Sequence, residues 1–66
     1  MKEYYEVVNI VYIHELKCYG AVENMGAFAS NVRYTIEDGT EVEELMENDE
    51  FTIIDEIVFT HVEESN

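Results

Sequence analysis

The sequence predicts one mainly β domain, a small antiparallel meander or barrel of four to five strands, and two observations carry that prediction. Both ends of the chain are dense in β-branched and aromatic residues, which favour a pleated strand over a helix. Between them an alternating run ends in Asp38-Gly39, the strongest short hairpin signal in a sequence.

Taken in order, Tyr4 to Leu16 reads as a long strand. Tyr4, Val8, Ile10, Tyr12 and Leu16 occupy its even positions, and Tyr5, Val7, Val11 and Ile13 its odd ones, so both faces are apolar. Gly20 to Ser30 holds two glycines and little periodicity, and is expected to be a loop around Met25 and Phe28. Asn31 to Ile36 alternates, with Val32, Tyr34 and Ile36 opposite Arg33 and Thr35, and leads into the Asp38-Gly39 tip. The return arm, Thr40 to Asn48, is open between two readings. Thr40 with Glu43 forms a capping box, and Val42, Leu45 and Met46 share a helical stripe, which allows a short helix near 41–48. A hairpin needs a second strand, however, and glutamate-rich strands suit sheet edges, so strand is favoured. In the last segment Phe51, Ile53, Ile57 and Phe59 alternate against Ile54, Val58 and Val62, with a kink or bulge expected at Asp55-Glu56.

Strands with two apolar faces need cover on both sides, which points to a small barrel or a second copy. A chain of 66 residues buries only about 60% of its unfolded surface, so it needs a staple. Cys18 is the only cysteine, so no disulfide forms within the chain, and no Cys/His spacing suggests structural zinc. A homodimer is therefore expected. No run approaches the roughly 18 apolar residues of a membrane helix, and the start of the chain lacks a secretory core, so a soluble cytoplasmic protein is expected.

Charge is the most distinctive feature. The three basic residues, Lys2, Lys17 and Arg33, all lie in the first half, and twelve of the 16 acidic residues follow Ile36, giving a net charge of −13. Such a field repels nucleic acid and anionic membrane and attracts basic surfaces. The candidate partner-binding residues are Glu37, Asp38, Glu41, Glu43, Glu44, Glu47, Asp49 and Glu50, with Asp55, Glu56, Glu63 and Glu64 as further contributors. Carboxylates repeated along a folded surface can stand in for nucleic-acid phosphates in a basic groove. The plainer reading is a solvated face that keeps a small apolar protein soluble.

Other candidates carry less chemistry. Neither Glu37-Asp38-Gly39 nor Asn48-Asp49-Glu50 has the spacing of a calcium loop, and no cofactor or metal is expected. His14 and His61 stand near strand ends beside acidic residues and could meet if the two strands pair. Cys18 follows Lys17, but no base or orienting group accompanies it, so a small apolar filler is expected. The five tyrosines read as half-buried strand residues or as an interface patch. No triad, phosphate-cradling loop or basic patch is present, and no enzymatic activity is expected.

The run Val32-Arg33-Tyr34-Thr35-Ile36-Glu37-Asp38-Gly39-Thr40 resembles the central hairpins of small SH3-like barrels, which implies an interaction module. In size, acidity and lack of catalytic groups the chain also resembles the short inhibitors that bacteriophages make against host enzymes and defence systems, several of them DNA mimics. That resemblance implies competitive occlusion of a basic, nucleic-acid-binding surface of another protein, with no direct nucleic-acid contact. Met46 and Phe51, or an aromatic residue, would then supply specificity. The alternative is an accessory module whose acidity serves solubility and whose apolar strand faces make the contact within a larger assembly.

Overall fold

The computed structural model describes residues 2–63 and shows five antiparallel strands in one open sheet, with no helix. They are β1 (Lys2–Ile13), β2 (Cys18–Glu23), β3 (Ala29–Thr35), β4 (Glu41–Glu47) and β5 (Phe51–Glu63), in the spatial order β4-β3-β2-β1-β5. The first four form a meander, and β5 returns across the molecule to pair with β1. β4 and β5 are the two edges and do not pair with each other among the described residues.

Two sequence expectations change and one open alternative is decided. The Gly20 to Ser30 stretch is not a single loop: β2 runs through to Glu23 and β3 begins at Ala29. Gly20 is there because the sheet leaves no room for a Cβ, which would stand 2.9 Å from Val32 Cγ1 and 3.0 Å from the Arg33 carbonyl. The 41–48 segment is strand, as favoured, and the capping-box pattern loses to pairing with β3 from Ala29↔Glu47 to Thr35↔Glu41. In β5 the register shifts where Ile10↔Asp55 gives way to Val11↔Ile53, leaving Ile54 as the extra residue just before the expected Asp55-Glu56 kink. A bulge exchanges the faces of a strand. Phe51 and Ile53 therefore share the face of Val58 and Val62, and Ile57 and Phe59 lie on the other.

The hydrophobic core is Val11, Ile13, Val22, Val32, Met46 and Phe51, all on one face of the sheet's broad end. Buried Ser30 ties the nearby connections together, accepting from the Gly26 N–H at 3.0 Å and donating to Asn48 Oδ1 at 2.8 Å. Asn48 returns a bond to the Gly26 carbonyl at 2.8 Å. The turn after β1 closes with Lys17 N–H to the Ile13 carbonyl at 2.8 Å, Lys17 taking a left-handed φ of 53°.

β2 pairs only with Val8–Ile13, whereas β5 pairs with the whole of β1. Lys2–Val7 and Val58–Glu63 therefore leave the sheet as a two-stranded ribbon. The molecule measures 47 × 29 × 18 Å with a radius of gyration of 14.1 Å, against roughly 11 Å for a compact domain of this length.

Candidate functional site

The acidic candidates gather at the β4 edge and its two turns. Because side chains alternate along a strand, Glu41, Glu43 and Glu47 face one side of the sheet and Glu44 the other, about 6.8 Å separating alternate residues. All four are exposed. Glu37 and Asp38 occupy the turn into β4, where the Thr40 side chain, and then the Thr40 N–H donating to Asp38 at 2.8 Å, hold the Asp38 carboxyl below the usual range. This turn is longer than a two-residue hairpin: the Ile36 N–H donates to the Thr40 carbonyl at 2.9 Å, and Gly39 takes a φ of 90°. Asp49 and Glu50 lie in the turn out of β4, and the Glu50 carboxylate accepts the Glu47 N–H at 2.8 Å.

Sequence reasoning missed the counter-charge. Arg33 on β3 faces Glu43 directly, donates to Glu23 of β2 and forms a longer ion pair with Glu41 at 3.4 Å. The hydrogen bond to Glu23, then the charges of Glu23 and Glu41, raise the already high pKa of the guanidinium. The one arginine is thus encircled by carboxylates, and Glu23 extends the acidic surface across three strands. Only a strand reading of β2 would have brought Glu23 beside Arg33. On the opposite face Tyr34 donates to Glu44 at 3.4 Å, and its phenol pKa is raised by desolvation and by that carboxylate.

The remaining acidic residues do not join this surface. Asp55, Glu56 and Glu63 belong to β5 at the far edge, and Glu64 lies outside the described residues. Met46 and Phe51 are core side chains, 4% and 5% exposed, so neither can act as a specificity contact. The most exposed apolar residues around the acidic edge are Leu45, at 68%, and Phe28, at 87%.

β1 and β5 pair, but antiparallel, which sends the two histidines to opposite ends. His14 Nε2 meets Thr52 Oγ1 at 2.6 Å. His61 stacks on Tyr4 with ring centroids 4.8 Å apart, and its Nε2 lies 3.2 Å from Glu6 Oε1. Cys18 is half-buried against the core. Tyr12 and Tyr19 meet edge to face across β1 and β2, with centroids 5.4 Å apart. Among the described residues no three His, Cys, Asp or Glu side chains converge as a metal site, and no helix is long and apolar enough to cross a membrane.

No family model, curated protein or solved structure matches the chain.

Proposed function

We propose that the protein is a small, non-catalytic interaction protein whose β4 edge occludes a basic, nucleic-acid-binding surface of another protein, in the manner of phage-type inhibitors. The observation that carries this reading is the gathering of Glu37, Asp38, Glu41, Glu43, Glu44, Glu47, Asp49 and Glu50 on one edge strand and its flanking turns. Arg33, the cation on the neighbouring strand, is already paired with Glu23 and Glu41. Carboxylates at both faces of an edge let the strand enter a groove and meet basic side chains on either wall. Release of the counterions on both partners favours the complex and makes it salt-dependent. Leu45 and Phe28 are the apolar contacts in reach of the same surface.

The test is capture of partners on the immobilised protein at low and high salt, with and without competing DNA, alongside the variant Glu43→Lys/Glu44→Lys/Glu47→Lys. All three side chains are exposed, so the variant keeps its β circular dichroism. The expected result is a nucleic-acid-binding partner lost at high salt, displaced by DNA and not captured by the variant. Equal capture by the variant overturns the reading.

A further inference from the structure

No other strand leaves as many apolar residues uncovered as β5, at the edge opposite the acidic one, where Ile53, Ile54, Ile57, Val58, Phe59 and Val62 are all exposed. Ile57, Val58 and Phe59 are 41%, 53% and 45% exposed. The strand is 13 residues long and, among the described residues, pairs only with β1, so that the N–H and C=O groups of its outer side have no neighbouring strand there. The surface of the molecule is 5167 Å², whereas a compact chain of 7.7 kDa exposes roughly 4,300 Å². The excess is on the order of the ~800 Å² that one partner contributes to a standard interface.

What could cover this edge is constrained by its own sequence. Beyond the bulge at Ile54, β5 is regular from Asp55 to Glu63. Groups that point across the edge come from every second residue, and in an antiparallel ladder each must meet another such residue. When the strand meets its own copy about a two-fold axis, the two facing residue numbers therefore sum to an even value, and one residue stands on the axis opposite itself.

With the axis at residue 57, Val58 faces Glu56 and Phe59 faces Asp55. At 59, Asp55 faces Glu63, a like-charge pair, and Ile57 faces His61. At 60, Ile57 faces Glu63, and the position opposite Asp55 lies outside the described residues. At 58 the pairs complement each other: Val58 meets Val58, Ile57 meets Phe59, Glu56 meets Thr60 and Asp55 meets His61. Glu6 already engages His61 Nε2 within the chain, which leaves Nδ1 for Asp55 of the second copy.

We infer that β5 pairs with β5 of a second copy from Asp55 to His61, about a two-fold axis through Val58, and joins two five-stranded sheets into one of ten. The partner is thus another copy of this chain, and the contact uses nothing from the β4 edge. The bulge at Ile54 ends the pairing on one side and stops the ladder from running on.

The experiment is sedimentation equilibrium of the full chain over a wide concentration range in 0.5 M salt, combined with single cysteines in a Cys18→Ala background. Cysteines replace Ile57, Val58, Phe59 or Thr60 in turn. Opposed residues in an antiparallel pair hold their Cβ atoms about 4.5–5.5 Å apart, and the next same-face position is about 7–8 Å away. A disulfide needs Cα atoms within about 7 Å. The expected result is twice the chain mass at high concentration and rapid oxidation to a dimer for Val58→Cys, with at least roughly tenfold slower cross-linking of the other three. Val58→Glu, which sets two carboxylates face to face on the axis, is expected to be monomeric with an unchanged β spectrum. A monomer at every concentration overturns the inference. So does preferential cross-linking through residue 57, 59 or 60, or a dimer that survives Val58→Glu. Capture of salt-sensitive basic partners tests the β4 edge separately, so either proposal can fail alone.

Discussion

The two edge strands of this sheet solve the edge problem in opposite ways. β4 is seven residues long, and four of them are glutamates; any strand approaching it meets carboxylates on both faces, which discourages edge-to-edge pairing. β5 is 13 residues long and apolar on both faces through its middle. It carries Asp55, Glu56, His61 and Glu63, which leave Ile57–Thr60 without a charge. The difference teaches that the net charge of −13 is not spread as a uniform solubilising coat. It is concentrated where pairing is opposed and thinned where pairing is open.

The comparison breaks most severely at the corner where the two edges are joined. Phe51 begins β5 directly after the β4 turn and is 5% exposed against Ile13, its cross-strand partner. Phe51→Ala is expected to cost about 3–5 kcal/mol, the usual range for a buried phenylalanine. A small domain has little margin above that, so much of the population unfolds. Phe59→Ala, on the ribbon and 45% exposed, is expected to cost under about 1 kcal/mol at concentrations where the chain is monomeric. Urea unfolding of both variants checks this, and equal losses would mean that the ribbon belongs to the cooperative core.

Salt sharpens the comparison by sign. Two chains of like charge repel each other, and screening shortens that repulsion from about 10 Å at 0.1 M to about 3 Å at 1 M. Pairing through β5 is therefore expected to tighten as salt rises, while docking of the β4 edge on a basic surface weakens, each by about tenfold across 0.05–0.5 M. Sedimentation and partner capture on the same preparations measure the two slopes. Slopes of the same sign would show that one surface performs both contacts.

How much of this was legible depended on periodicity. The first and last strands and the Asp38-Gly39 tip were readable because apolar alternation and turn chemistry are local signals. β2 was not, because Gly20 and Ala21 serve close approach to β3 and supply no apolar period. Missing β2 hid the Glu23–Arg33 pair, and so most of the site's electrostatics. The faces of β5 were misread for a different reason: alternation counted through a bulge inverts beyond it, and the register against β1 is needed to place the inversion at Ile54. The acidic run itself was visible, but its division between two opposite edges is a property of strand order, which composition does not encode.

The smallest effect concerns how the acidic edge holds its own turn. Asp38 is exposed, and the Thr40 side chain, followed by the hydrogen bond from the Thr40 N–H, lowers the carboxyl pKa below its ordinary value of 3.8. A carboxyl lowered in the folded state contributes stability that is fully present above the ordinary value and lost as pH falls through the folded one. Asp38→Asn keeps an oxygen to accept from Thr40 and removes the proton dependence of that bond. Urea midpoints at pH 7 and pH 3 are expected to show a slightly smaller acid loss in the variant than in the parent chain. A larger loss would reverse the sign, and would mean that the Asp38 charge repels its neighbours more strongly than the turn bond holds it.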